Sequence, residues 1–427
     1  MTNSALDGKP YAGNPHVRID EGDGASAKPR RSSLLNNRRE FCKGTALATL
    51  GLMTVRGRAA STGMSVEGIV LPDWAEKTIR EGAARYAAWK GSDEVVAFPL
   101  ITDVHSHAAS VTPPNWRDSK MHILFQRAIA EATGSDFIAN LGDLDFDVNI
   151  LGSAPDWTKV QPVIDGFVAA YTGEPKPVLF AMGNHDHAKG RYTSKQFGDT
   201  FNRGLNAGKK AAFDWGEDGT WGCLDLPAKK FRAIVLNTSD EGYLGCSKAQ
   251  MQYLADKLSS APDGWSVVVL QHANIPGFIA KWRRFGESSG DYKRAELEQT
   301  IIEDFANHRG GIVQGFHNPP ITGQLGGVKF DFAHSKANLV GLFQGHLHAE
   351  SYLRYANVNY VIRPGYGTIP VDCKCGEWRD PKRACGFSTA KDMMLDLVAV
   401  KPAKRQVHVF RFGCGGAESE LDYVYGI

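Results

Sequence analysis

The sequence predicts an α/β fold. Past residue 61, short apolar runs alternate with stretches of helical periodicity. Several of those runs end in a polar motif, as strands do where an α/β sheet opens onto a functional crevice. Composition agrees, since 42% hydrophobic and 22% charged residues suit a soluble chain with a sizeable core and exclude a collagen-like or coiled-coil one. At 427 residues the chain has room for two or three domains or for one large domain with insertions.

Taken in order, "EVVAFPLIT" (94–102) reads as a buried strand ending at Asp103. "SKMHILFQRAIAEATG" (119–134) reads as a helix with Ile123, Ala128, Ile129 and Ala132 near one face and Gly134 as its stop. "DFIANLGD" (136–143) is the next strand, 162–173 the next helix, and "KPVLFAMGNHD" (176–186) a third strand with a polar end. Further strands are expected near 231–238, 265–271, 338–344 and 358–362, with helices at 247–260 and 292–308. Runs 394–400 and 406–412 read as a closing hairpin. Three long connections, 187–220, 273–291 and 363–393, are read as loop insertions, and loops of that length are often functional.

The first sixty residues stand apart. They hold ten Lys/Arg against five Asp/Glu, so residues 61–427 carry 39 basic and 42 acidic groups, a net charge of about −3. A dedicated nucleic-acid binder carries a basic excess, so no stable nucleic-acid partner is expected. Arg38-Arg39, Phe41 and Lys43 precede the apolar run Gly44 to Val55, which is too short to span a bilayer and is followed by Ala59, Ala60 and Ser61. This segment resembles a bacterial twin-arginine export signal, which implies the twin-arginine translocation machinery as a partner and a periplasmic or extracellular location. Residues 1–60 are accordingly read as an export signal with a disordered N-terminal segment, and 61–427 as the folded domain with no transmembrane segment. Removing the signal takes Cys42 and leaves Cys223, Cys246, Cys373, Cys375, Cys385 and Cys414. That set suits disulfides, with a small zinc site at 373–385 or free thiols as alternatives.

Five motifs carry the chemistry: Asp103-x-His105, Gly142-Asp143, Gly183-Asn184-His185-Asp186, Gln271-His272 and Gly345-His346-Leu347-His348. Each closes an apolar run, so residues far apart in sequence can meet at one sheet edge. Two divalent cations need a mixed shell of oxygen and nitrogen ligands with one carboxylate shared between them. Asp143 suits the bridge, because Gly142 permits close backbone approach. Asp103 and the imidazoles of His105, His272, His346 and His348 complete a shell suited to Mn, Fe or Zn. The rival pair His105-x-His107, as in a metal-dependent amidohydrolase barrel, leaves the Gly-Asp and Gly-Asn-His-Asp motifs unexplained.

Together these motifs resemble the calcineurin-like metallophosphoesterase superfamily, over about residues 95–410. The resemblance implies one metal held by Asp103, His105 and His348, and a second by Asn184, His272 and His346, with Asp143 bridging. It also implies that His185 is the catalytic histidine and Asp186 its orienting partner. The implied fold is a four-layer α/β/β/α sandwich with two central mixed β-sheets and the metal site at the strand C-terminal ends. The implied activity is hydrolysis of small-molecule phosphate esters by a hydroxide shared between the two cations, with phosphodiesters slightly ahead of monoesters. One departure narrows the branch: purple acid phosphatases carry a tyrosine three residues after the bridging aspartate, and here that residue is Phe146. An exported non-catalytic binding protein is the remaining alternative, but it would be expected to lack ligands, and none is missing. His107 and His187 match no ligand slot. Lys281, Trp282, Arg283 and Arg284 read as a solvated loop or as contacts to phosphate.

Overall fold

The apolar runs form two mixed sheets that face each other. In the computed structural model the chain divides into two units, Met1–Ala60 and Ser61–Ile427. The structure describes residues 65–66, 69–104, 116–144, 157–187, 190–240, 244–275, 295–313, 327–347, 350–363 and 393–426, all in the second unit. The expected signal, His105, His107, His348, Phe146, Lys281 to Arg284 and the cysteines at 373, 375 and 385 lie outside the described residues.

In chain order the elements open with the two-residue strands β1 (Ser65–Val66) and β2 (Ile69–Val70), then α1 (Asp73–Lys90), β3 (Val96–Ile101) and α2 (Trp116–Thr133). Next come β4 (Ile138–Asn140), α3 (Trp157–Tyr171), β5 (Val178–Phe180) and α4 (Ser194–Phe197), which runs into a π-helical stretch, Gly198–Gly204. They continue with β6 (Ala212–Trp215), β7 (Gly222–Leu226), β8 (Phe231–Val235), α5 (Lys248–Ser259), β9 (Ser266–Gln271) and α6 (Ala295–Ala306). The last strands are β10 (Gly310–Val313), β11 (Val328–Asp331), β12 (Asn338–Gln344), β13 (Ser351–Tyr355), β14 (Val358–Ile362), β15 (Met394–Lys401), β16 (Gln406–Gly413) and β17 (Leu421–Val424).

One sheet has the order β5-β4-β3-β15-β16-β17, with β3, β4 and β5 parallel and the rest antiparallel. The other has the order β6-β7-β8-β9-β12-β14-β13, with β8, β9, β12 and β14 parallel. Strands β3, β9 and β15 are buried along their whole length, which is why they read as continuous apolar runs. Phe98 and Leu100 of β3 pack between the sheets against Leu270 and Phe343, with the Phe98 and Phe343 rings edge to face at 6.1 Å. Leu254, Leu258, Ile301 and Phe305 of α5 and α6 cover the outer face of the second sheet. Helices α1 and α2, and α2 with α3, cover the first. The arrangement is the expected α/β/β/α sandwich, and the closing hairpin is β15 and β16, paired antiparallel from Met394↔Gly413 to Lys401↔Gln406.

Two expectations change. The connection 187–220 is not a loop throughout, because it holds α4, the π-helical stretch and β6. Thr193 and Gln196 cap α4 reciprocally, and Phe197 and Phe201 are buried against Phe180. Among the cysteines, Cys223 and Cys246 are thiols rather than disulfides, buried in the apolar layer beneath α5, whereas Cys414 is disulfide-bonded to a partner outside the described residues. No helix among the described residues is long and apolar enough to cross a membrane.

Candidate metal centre

The polar motifs leave parallel strands at the same edge of the sandwich. Asp103 follows β3, Asp143 follows β4, Asn184 to Asp186 follow β5, His272 follows β9 and His346 follows β12. The corners are sharp: Asp103, Asp143 and His346 have φ of 50°, 53° and 67°, in the left-handed region that non-glycine residues seldom occupy. Glycines permit the crowding. A Cβ at Gly183 would collide with the backbone and Oδ1 of Asp143, and one at Gly345 would lie 2.7 Å from Asp103 Oδ2.

Backbone bonds lace the corners together. Asp103 N–H donates to the Gly142 carbonyl at 2.9 Å, and Gly345 N–H donates to the His272 carbonyl at 3.0 Å. His346 N–H donates to both Asp103 carboxylate oxygens, at 3.1 and 3.0 Å, joining the two sheets at the site. Thr102 Oγ1 donates to Asp103 Oδ2 at 2.5 Å. Asp143 Oδ1 accepts His185 N–H at 2.9 Å, while Asp186 Oδ2 accepts the N–H groups of Asp143 and Gly183.

His272 organises the centre. Its Nδ1 lies 2.8 Å from the Leu141 carbonyl, an oxygen that can only accept, so Nδ1 carries a proton. Its Nε2 then faces Asn184 Oδ1 at 3.0 Å, His346 Nδ1 at 3.2 Å and Asp143 Oδ2 at 3.2 Å. Asp143, His272 and His346 offer ligand atoms that all lie within 4.8 Å of one another. Burial opposes a second proton on this ring, but the carboxylates of Asp143, Asp103 and Asp186 outweigh it and raise the imidazole from 6.5 to about 9. Crowded lone pairs with buried carboxylates behind them call for a positive charge, and a divalent cation fits this mixed oxygen and nitrogen set. Asn184 supports the fit: its Oδ1 joins the cluster, while its buried Nδ2 has no hydrogen-bond partner among the described residues.

The structure thus brings Asp103, Asp143, Asn184, His185, Asp186, His272 and His346 to one edge. His105 and His348 lie outside the described residues, and His187 joins no ligand cluster among the described residues. Sequence reasoning missed Thr102 and the Leu141 carbonyl, which fix Asp103 and the His272 tautomer. Neither has a motif signal, because a carbonyl is available at every residue and a lone threonine is common.

A model of the calcineurin-like phosphoesterase family (Metallophos) matches residues 98–363, more than half of the chain. A search of the curated proteins gives no match. Among solved structures, a conserved uncharacterized protein from Streptococcus pneumoniae TIGR4, titled a predicted phosphoesterase, is 9% identical with a TM-score of 0.25, over 78% of this chain and 98% of its own. A putative 5'-nucleotidase from Staphylococcus aureus, in complex with alpha-ketoglutarate, is 13% identical with a TM-score of 0.32, over 72% of this chain and 51% of its own. At such scores neither likeness bears on activity or substrate. The family match runs from β3 to the residue after β14 and encloses all five motifs, so the chain belongs to the calcineurin-like phosphoesterase family.

Proposed function

We propose that this protein is an exported, metal-dependent phosphoesterase that hydrolyses small-molecule phosphate esters. The observation that carries the reading is the convergence of Asp143, His272, His346 and Asn184 on one point at the strand ends. Two divalent ions, drawn from Mn, Fe and Zn, would supply Lewis-acid activation of water and neutralise phosphoryl oxygens. Asp103, His105 and His348 would hold one of them, Asn184, His272 and His346 would hold the other, and Asp143 would contribute its carboxylate.

The chain's own groups do the rest. Asn184 Nδ2, without a partner among the described residues, is available to a phosphoryl oxygen. His185 hands a proton to the departing oxygen, with Asp186 beside it in the chain as its orienting partner. Phosphodiesters are placed slightly ahead of monoesters on the length of the connections 273–291 and 363–393. The Arg38-Arg39 segment directs the folded protein through the twin-arginine route.

Hydrolysis of bis-p-nitrophenyl phosphate and p-nitrophenyl phosphate by chelated protein reloaded with Mn, Fe or Zn tests the activity. A loaded protein inert on both, and on a panel of nucleotides, sinks it. Export is tested separately by R38K/R39K, which should leave the folded chain in the cytoplasm.

A further inference from the structure

The segment that carries His346 is gripped from both ends by one residue. Arg363 follows β14, and its backbone N–H donates to the Gln344 carbonyl at 2.9 Å, just before Gly345. Its side chain pairs through Nη1 with Glu350 Oε1 at 3.2 Å, two positions past His348. The same guanidinium donates through Nε to Asp396 Oδ2 at 2.6 Å, in β15 of the opposite sheet. Arg411 of β16 closes the network: its Nε donates to Asp396 Oδ1 at 2.7 Å, and its Nη2 lies 3.5 Å from Glu350 Oε1. Arg363, Asp396 and Arg411 are 1%, 3% and 0% exposed.

Stability alone does not account for this network. Burying two arginines against two carboxylates costs desolvation on all four, and apolar replacements of such groups are often as stable or more so. Location does account for it. Asp396 is in register with Leu100 of β3, the strand that delivers Asp103 three residues later. Through Asp396 the guanidinium therefore references the His346 segment to the strand of Asp103, the two groups joined by the hydrogen bonds that cross between the sheets at the site. A lysine cannot copy this, because one ammonium lacks the planar fork that meets two carboxylates in fixed directions.

We propose that Arg363 is a positioning residue of the metal centre, gripping the chain on either side of His346, at Gln344 and Glu350, and fixing His346 against Asp103 across the two sheets. This rests on the metal-centre part of the proposed function. The test is calorimetric titration of Mn2+ into chelated protein, with the visible spectrum of the Co2+-loaded form as a second readout, for wild type, E350Q and R363K. E350Q keeps an acceptor but removes the charge that holds one grip of the clamp, at a partly exposed carboxylate, and should fold with a melting temperature close to wild type. Both variants should bind Mn2+ about 10–100-fold more weakly and shift the Co2+ spectrum. Saturating Mn2+ should restore kcat in E350Q with KM unchanged. Wild-type Mn2+ affinity and an unchanged Co2+ spectrum in both variants would overturn the assignment. Wild-type protein that binds Mn2+ and hydrolyses no ester defeats the phosphoesterase reading while leaving the clamp standing.

Discussion

Asp186 reaches back across the strand ends to accept the backbone N–H of Asp143 at 3.0 Å, and the same oxygen takes the N–H of Gly183 at 2.9 Å. The carboxylate is fully buried, so it holds the corner at which Asp143 turns left-handed. D186A strands two buried donors and should lower stability by about 3 kcal/mol, whereas D186N keeps an acceptor and should lose about 1 kcal/mol. Urea unfolding of the chelated proteins checks this. Equal stabilities with a fall in kcat alone would assign Asp186 to orienting His185 and nothing more.

The raised imidazole of His272 sets the pH dependence of ion uptake. Metal-free protein keeps the second proton below pH about 9, and a bound cation must expel it. Affinity should therefore rise about tenfold per pH unit from neutrality toward 9 and flatten above it, with one proton released per ion at this position. In the metal-free chain the sign is reversed for stability. The folded value lies above the unfolded one near 6.5, so this contribution is full below about 6.5 and fades as pH rises through 9. Titrations in buffers of different ionisation enthalpy measure the proton release.

Gly345→Ala probes the crowding between the sheets. Its Cβ would collide with the Thr102 hydroxyl and crowd Asp103 Oδ2 at 2.7 Å. Overpacking should cost about 1–3 kcal/mol and displace the Asp103 carboxylate, so thermal stability and bound metal should fall together. Full metal content in a folded G345A protein would show that the corner can relax.

His185 should separate from the ligands kinetically. H185A is expected to lower kcat by about 10²–10⁴-fold while metal content stays at the wild-type level. H346A should lose metal instead. Elemental analysis beside steady-state kinetics distinguishes the two.

The "VHSH" stretch gives a matched pair. H105A should lose bound metal, and H107A should retain nearly all of it. Equal metal loss from both would return the His-x-His reading of a metal-dependent amidohydrolase.

What the sequence disclosed follows from burial. Strands β3, β9 and β15 are apolar on both faces, so their extent and their polar ends were legible. Edge strand β6 alternates exposed and half-buried residues, and α1 buries only Ala75, Ile79, Gly82 and Tyr86, too thin a stripe to stand out. The connection 187–220 concealed α4 because its aromatic anchors, Phe197 and Phe201, are separated by polar residues and meet Phe180 only in three dimensions. At the site, the ligand types were legible because their chemistry restricts the choice of side chain. The supports were not, because Leu141 contributes only a carbonyl and Arg363 lies far from any motif.

The left-handed corners at Asp103, Asp143 and His346 carry a lesson for protein engineering. Copying seven side chains onto another sandwich would transplant the ligands without the bends that aim them. An asparagine scan at these corners, preserving tolerance for the bend while changing the donor, would separate shape from chemistry more cleanly than alanine. Replacement by a β-branched residue would change both at once, opposing the bend and deleting the ligand.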